Sequence, residues 1–247
     1  MTNVGGGVYV RSVYTRNAQT VSGQEVSPEG NQYAENILIV LFLAVTPRII
    51  YLPAGIPLVV GFAVFSGSSS SEGIVSLAED CSCRGNTVRL SDSHTYNNMG
   101  ISVAKGSNIR VSYNNLSGGN GYGIYAVGTE ASQKICRIYG NTVSGFLKDG
   151  ILASGLAAGS RIEHNRVSTS AANGILVKCN DKSVVDGNYS FKNKARGILL
   201  QRCESAMVAD NFVSENAING IELNIRSNHS SVQGNVCGNH SAGIWTG

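Results

Sequence analysis

Three observations predict that this chain is an all-β solenoid, a stack of similar coils built from short strands and tight turns. Gly-Ile pairs recur every 23 to 27 residues along most of the sequence. Asparagines recur in a second register with nearly the same spacing. Between the two registers, apolar and polar residues alternate with the period of two that is typical of strands. A repeat of this length indicates that each unit is one coil that stacks on its neighbours.

The Gly-Ile register starts one strand of each coil. Its glycines are Gly73, Gly100, Gly123, Gly150, Gly174, Gly197, Gly220 and Gly243. The residue two positions after each isoleucine, such as Val177 or Leu200, is mostly small or apolar, which places it inside the coil. We expect the glycine to let the chain turn tightly into this strand.

The asparagine register marks a second corner of each coil. Its members are Asn86, Asn114, Asn141, Asn165, Asn188, Asn211 and Asn235. We expect them to occupy left-handed turn positions and to stack as a structural ladder, with side-chain amides bonding from coil to coil. The regular part of this ladder comprises Asn141, Asn165, Asn188, Asn211 and Asn235. A shorter series at another corner contains Asn193, Asn216 and Asn239.

These features predict a single-stranded parallel β-helix of about seven to eight coils. The motifs "GN-x-V" and "N-x-x-x-GI", seen in "GNTV" at 140–143 and "NAINGI" at 216–221, resemble the right-handed repeats of the pectate-lyase-like superfamily. That superfamily includes phage tailspikes, carbohydrate-acting enzymes and NosD-type accessory proteins. Residues 49–65 also resemble the first strand of such proteins. The resemblance covers about residues 73–247 and implies a right-handed β-helix.

The flanks of the repeat are predicted separately. Residues 1–48 are expected to form an N-terminal arm and capping segment, with a capping helix over 31–45. Residues 49–247 form the β-helix domain, whose regular repeats span 73–247. The last coil stops at "AGIWTG" without a polar closing layer, so we expect either further sequence or another chain to cover that edge.

Composition narrows the range of partners. Charged residues make up 14% of the chain, and the net charge of +3 is too small to indicate nucleic-acid binding. The longest uninterrupted apolar run, 37–45, is shorter than the ~20 residues of a membrane helix. No secretory signal is visible, and both extracellular and virion-associated locations remain open. Histidines and cysteines form no spaced ligand set, so we expect no metal and no cofactor. A disulfide between Cys179 and Cys203 stays an alternative to free thiols.

The outer face of the Gly-Ile strands is the predicted functional surface. The superfamily resemblance implies an active site on such a face, assembled from several coils. Charged and amide side chains occupy its outward positions from the fourth coil onward, and they suit sugar hydroxyls and uronate carboxylates. The predicted catalytic residues are Asp149, Arg196 and Glu222. The predicted substrate-binding residues are Tyr125, Lys178, Gln201, Asn224 and Trp245.

Two further expectations concern the same face. Arg196 is expected to be exposed, so that its removal would weaken sugar binding and leave stability almost unchanged. Leu152, Leu176 and Leu199 form an outward apolar stripe. An exposed stripe of this kind needs a cover, and we expect the N-terminal arm or a neighbouring subunit of a homo-oligomer, such as a trimer, to provide it.

Two classes of function remain open. The first is a polysaccharide-recognising β-helix that acts as a polysaccharide lyase or glycoside hydrolase. The second is a non-catalytic structural, spike or NosD-like accessory module. The sequence lacks the "GHG" and "RIK" motifs of polygalacturonases and the "DPHD" motif of alginate epimerases. Whether the protein is an enzyme is therefore undecided, and an acid pair close enough to act together would favour catalysis.

Overall fold

The chain folds into a parallel β-helix in which each coil contributes one strand to each of three sheets. The computed structural model describes 83–90, 99–103, 108–128, 135–238 and 241–247 with their side chains, and the remaining strands below by their backbone. The predicted all-β, single-stranded parallel β-helix is confirmed, and the part described with its side chains makes about six turns.

The three sheets run along the axis of the solenoid. Sheet 1 contains Thr2–Val4, Gly7–Tyr9, Ile50–Leu52, Ile74–Ser76, Ile101–Ala104, Ile124–Val127, Ile151–Ser154, Ile175–Lys178, Ile198–Gln201, Ile221–Asn224 and Ile244–Thr246. Sheet 2 contains Pro57–Val59, Ser82–Arg84, Arg110–Ser112, Arg137–Tyr139, Arg161–Glu163, Val184–Asp186, Met207–Ala209 and Ser231–Gln233. Sheet 3 contains Phe42–Ala44, Ala63–Phe65, Thr87–Leu90, Asn115–Ser117, Thr142–Ser144, Arg166–Ser168, Tyr189–Phe191, Phe212–Ser214 and Val236–Gly238. Thr2–Val4 pairs antiparallel with its neighbour, and successive coils pair in parallel.

The core is a set of stacked apolar columns, as the alternation predicts. The Gly-Ile isoleucines pair directly from coil to coil, and those from Ile101 to Ile221 are fully buried. Val177 and Leu200 are fully buried in the next inward column. Burial of each such side chain stabilises the fold by roughly 1.5–3 kcal/mol, so the inner columns favour one register of the stack.

The asparagine ladder is confirmed at the corner between sheets 2 and 3. The Asn188 Nδ2 donates to Oδ1 of Asn211 at 2.9 Å and to the carbonyl of Ile162 at 2.8 Å. The Asn188 Oδ1 accepts from the backbone N–H and the Nδ2 of Asn165, each at 3.0 Å. The same pattern joins Asn86 to Asn235 through every intervening coil. Side-chain amides thus bond turn backbone that no sheet serves.

The left-handed backbone falls on the residue before each ladder asparagine, which corrects the prediction for the asparagines themselves. Gly187 has a φ of 61°, His164 of 54° and Asp210 of 52°. Because that residue makes the corner, the asparagine side chain is free to point along the stack towards the next coil. Asn193 and Asn216 also bond to one another, at 2.8 Å, while Asn239 lies outside the described residues.

Close approach between coils, rather than a tight turn, explains the glycine of each Gly-Ile pair. Gly197 is not among the left-handed residues. A Cβ at Gly197 would come within 2.7 Å of the Gly220 carbonyl oxygen and 2.8 Å of the Asn216 Nδ2. At Gly174 a Cβ would come within 2.7 Å of the Gly197 carbonyl oxygen. The chain does bend at these glycines before each strand, as predicted. The requirement for glycine itself reflects its packing against the following coil.

The N-terminal flank differs from the prediction in one segment. The predicted capping helix over 31–45 is wrong at Phe42–Ala44, which is a strand paired in parallel with Ala63–Phe65. The rest of that segment lies outside the described residues, and the domain boundary at 48 stays a prediction.

Cys179 and Cys203 are free thiols rather than a disulfide. Within the described ranges, no helix has the length and hydropathy of a membrane span.

Candidate functional site

The outer face of sheet 1 presents three parallel columns of side chains. The first column precedes the glycines and contains Tyr122, Asp149, Asn173, Arg196 and Asn219. The central column contains Tyr125, Leu152, Leu176, Leu199, Glu222 and Trp245. The far column contains Ser154, Lys178, Gln201 and Asn224. The register thus brings all the sequence-predicted site residues onto one face.

Asp149 anchors one end of the first column. Its side chain is 6% exposed, and its Oδ1 accepts hydrogen bonds from the backbone N–H and the Nδ2 of Asn173, at 2.9 and 2.8 Å. Burial raises the pKa of Asp149, and the bonds from Asn173 offset only part of this rise. The pKa of Tyr122 is also raised, first by burial and then by the charge of Asp149. This end therefore holds a carboxyl group that protonates more readily than usual.

Glu222 anchors the other end. It is 3% exposed, and its Oε2 accepts bonds from Arg196 Nε at 2.7 Å and Asn219 Nδ2 at 2.8 Å. Its Oε1 accepts a bond from Asn224 Nδ2 at 2.7 Å. Burial alone would raise the pKa of Glu222, but the bonds from Arg196 and the two asparagines outweigh it and hold the pKa below the ordinary value. Glu222 is thus a buried, ionised carboxylate.

Arg196 differs from its expected exposure. Its side chain is only 31% exposed and forms an ion pair with buried Glu222, so Arg196 has a structural role as well as a surface position. Its backbone N–H donates to Oδ1 of Asn173 at 3.2 Å. Hydrogen bonds therefore run continuously from Asp149 through Asn173 and Arg196 to Glu222.

The two predicted catalytic acids lie far apart. Asp149 and Glu222 belong to coils three steps apart, which corresponds to about 14 Å along the axis at the usual strand spacing. Carboxylates that act together on a glycosidic bond are roughly 5–9.5 Å apart. This geometry suits contacts with separate parts of one long ligand better than joint attack on one bond.

The far column and the two aromatic ends supply exposed groups. Lys178 is exposed, while Gln201 and Asn224 are half-buried. The Oδ1 of Asn224 has no hydrogen-bond partner among the described residues, although it is buried. Tyr125 is half-buried and Trp245 is 43% exposed. Amides and an ammonium group can bond to hydroxyls, and aromatic rings can pack on the apolar faces of sugars.

The leucine stripe is less exposed than predicted. Leu152 and Leu199 are 8% and 4% exposed, and Leu176 is half-buried. The stripe points outward by register, but polar columns lie on both sides and shield it. The prediction of exposure is wrong for Leu152 and Leu199, and a cover from the arm or a second subunit stays a prediction.

A second polar cluster, on the outer face of sheet 2, was missed from the sequence. Glu163, 3% exposed, accepts bonds from Arg137 Nε and Arg161 Nε, both at 2.7 Å. Burial would raise the pKa of Glu163, but the two arginines together hold it below the ordinary value. The sequence does contain a pattern that predicts the arginine column, because an arginine stands four residues before each of three consecutive ladder asparagines. These arginines are Arg110, Arg137 and Arg161. Across the described ranges, no group of three or more His, Cys, Asp or Glu residues has the arrangement of a metal site.

Comparison with known proteins supports the fold independently. A family model described as "Right handed beta helix region" matches residues 99–247. The Azotobacter vinelandii mannuronan C-5 epimerase AlgE6 A-module is similar in structure, with a TM-score of 0.54 and 12% identity over 84% of this chain and 65% of that one. The mannuronan C-5 epimerase AlgE4 A-module from the same organism has a TM-score of 0.51 and 12% identity, over 81% of this chain and 78% of that one.

A third similar structure is the periplasmic alginate epimerase AlgG, with a TM-score of 0.50 and 10% identity over 82% of this chain and 62% of that one. This chain therefore spans less than two thirds of the length of AlgG and of the AlgE6 module. No curated protein sequence matches it significantly.

Proposed function

The chain belongs to the right-handed β-helix family, and we propose that it recognises a polysaccharide along the outer face of sheet 1. The three columns of side chains on this face support the proposal, because their hydrogen-bonding groups and aromatic rings repeat along one straight axis. A linear polymer with repeating hydroxyls matches such a surface. The alginate and mannuronan epimerases that share the fold act on polysaccharides, which supports the same ligand class here.

The dimensions of the face suit several sugar units. Tyr125 and Trp245 lie five coils apart in the central column, or about 24 Å at the usual strand spacing. Between these rings, Lys178 and Gln201 offer donors on adjacent coils. The charges of Arg196 and Glu222 offset one another, so this part of the face favours hydroxyl-rich sugars over strongly anionic groups.

Recognition without bond cleavage fits the acids best. Glu222 is committed to three hydrogen bonds and stays ionised, so it is poorly suited to donate a proton. Its separation from Asp149 exceeds that of glycosidase acid pairs. We therefore infer that Asp149, Arg196 and Glu222 organise the binding face, with the non-catalytic module as the primary function.

A lyase is the second candidate, and one observation favours it. The raised pKa of Asp149, beside the phenol of Tyr122, resembles the tuning that proton-transfer groups need. A lyase would abstract the C5 proton next to a uronate carboxylate. The C4–C5 double bond forms as the glycosidic C4–O bond breaks, and the sugar joined at C4 leaves. Incubation with polyuronates, followed by ultraviolet absorbance of the unsaturated product, separates the two candidates: product formation contradicts the non-catalytic function.

The binding proposal is tested with a double variant on the far column. An immobilised panel of neutral and acidic polysaccharides first identifies a bound one, and oligosaccharides from it are then titrated by calorimetry. We expect Lys178→Ala with Gln201→Ala to weaken binding about tenfold or more, because one exposed and one half-buried donor are lost. Arg166→Ala, which removes an exposed charge from sheet 3, should leave affinity unchanged. Equal affinities for the double variant and the wild type would contradict the proposal.

A further inference from the structure

The outer face of sheet 2 carries a column of arginines on three consecutive coils. Arg110 pairs in register with Arg137, and Arg137 pairs with Arg161. Arg110 and Arg137 are exposed and Arg161 is half-buried. Arg84, also exposed, lies in the adjoining outward column one coil earlier, where it pairs with Ser112. These four residues, Arg84, Arg110, Arg137 and Arg161, are called the arginine face below.

The arginine face has an excess of positive charge. Like charges on directly paired strands repel one another, so such a column is unfavourable without compensation. Glu163 compensates part of this positive charge by accepting hydrogen bonds from Arg137 and Arg161. Asp186, the next outward residue in the Glu163 column, is the second carboxylate. Four guanidinium groups thus face two carboxylates, and across the described ranges no carboxylate forms an ion pair with Arg84 or Arg110.

Three of the four guanidinium groups, those of Arg84, Arg137 and Arg161, are held in place by a ring or by Glu163. Arg137 contacts Glu163 through its Nε, which leaves its terminal nitrogens for another acceptor, and its side chain is 51% exposed. Arg137 also lies over the ring of Tyr139 at 4.8 Å, and Arg84 lies over the ring of Tyr113 at 5.0 Å. A guanidinium already fixed by a buried acid or a ring loses less entropy when it binds an anion.

We propose that the arginine face is a separate binding surface for an extended acidic polysaccharide with carboxylates on successive sugars. The guanidinium fork matches a carboxylate in two parallel hydrogen bonds. The column offers these forks at intervals of about 4.8 Å along the axis, so a polymer with repeated carboxylates can engage several at once. This surface is on a different sheet from the one proposed above and does not depend on it.

An acidic polysaccharide fits this surface better than a single-stranded nucleic acid. Single-strand binding relies on aromatic faces on which bases stack. Here each of the Tyr113 and Tyr139 rings already has a guanidinium group over one face, and the two rings pack edge to face with centroids 5.2 Å apart, which reduces the ring surface open to a base. The anionic groups, rather than flat rings, are what this face can recognise.

The experiment titrates the protein with polygalacturonate oligosaccharides, with dextran oligosaccharides as the uncharged control and oligo(dT) as the nucleic-acid control. We expect Arg84→Gln with Arg110→Gln to weaken polygalacturonate binding about tenfold to a hundredfold, because two charge-assisted contacts are lost. Neither substitution breaks an ion pair in the described structure. The matched control is Arg89→Gln with Arg166→Gln, which removes two exposed arginines from sheet 3 and should have no effect. Should the double variant melt early, Arg110→Gln alone is titrated in its place.

The outcomes separate the two surfaces. Loss of polygalacturonate binding in the arginine-face variant, with binding intact in Lys178→Ala with Gln201→Ala, supports this proposal. The opposite pattern assigns the polyanion to sheet 1 and overturns it. Equal loss in Arg89→Gln with Arg166→Gln shows attraction by overall charge and also overturns the proposal. Tighter binding of oligo(dT) than of polygalacturonate overturns it as well.

Discussion

The outer faces of sheets 1 and 2 use the same buried acid in different ways. Glu222 on sheet 1 and Glu163 on sheet 2 are each 3% exposed, and each has a pKa below its ordinary value. Glu222 is held by one arginine and two asparagines. Glu163 is held by two arginines. One face therefore has balanced charge and the other is left positive.

This difference shows how one scaffold can present two kinds of surface. A buried carboxylate fixes the side chains around it, and the identity of those side chains decides what the surface offers to a ligand. Amides and a single arginine leave hydrogen-bonding groups with little net charge. Two arginines leave terminal guanidinium nitrogens that still favour an anion.

Disruption of the asparagine ladder, which joins the coils beneath both faces, should give the largest loss of stability. Asn188→Ala strands the Asn165 amide and backbone N–H and leaves the Asn211 Oδ1 with one donor fewer. We expect the free energy of unfolding to fall by about 3 kcal/mol, measured by urea denaturation. Asn115→Ala, an exposed asparagine of sheet 3, is the control. A loss no larger than that of the control would contradict a role for the ladder in stability.

Single arginine deletions should distinguish the faces directly. Arg196→Ala leaves buried Glu222 without a cation, whereas Arg137→Ala leaves Glu163 paired with Arg161. We expect losses of about 2 kcal/mol for Arg196→Ala and about 1 kcal/mol or less for Arg137→Ala, after allowance for the partial exposure of both arginines. Urea denaturation of the two variants measures this, and a larger loss for Arg137→Ala would reverse the comparison.

Acidification should remove the stabilisation that ionised Glu163 and Glu222 contribute, and this is the smallest of the expected effects. Both have folded-state pKa values below the ordinary 4.5, so each stabilises the fold fully above about pH 4.5 and loses that contribution as the pH falls through its lower folded-state pKa. We expect Glu163→Gln with Glu222→Gln to be less stable than the wild type at pH 7 by about 1 kcal/mol per site. The difference should narrow in unfolding curves between pH 5 and about 2. A constant difference across that range would show that shape rather than charge explains the loss.

The sequence predicts the repeat geometry well because inward positions and ladder asparagines obey strict spacing. Val177, Leu200 and Asn188 could be placed from spacing alone. The hydrogen bond from Arg196 to Glu222, 26 residues later, could not be predicted, because the alternation pattern places both side chains outward on neighbouring coils but does not encode how they meet. The left-handed corner was also missed, since the residue there varies between Gly187, His164 and Asp210.

The close contact between each Gly-Ile glycine and the following coil has an evolutionary consequence. Gly174, Gly197 and Gly220 are 23 residues apart, as are Asn165, Asn188 and Asn211. Duplication or loss of one whole 23-residue unit would restore every glycine contact and every amide bond at the junction. Coils of 27 and 28 residues keep the same ladder bonds, so a few extra residues are accommodated in the loops between the two registers, whereas loss of part of a register would break its contacts. The length of each proposed binding surface can therefore change only in whole coils, so the size of a ligand bound there would change in the same discrete steps.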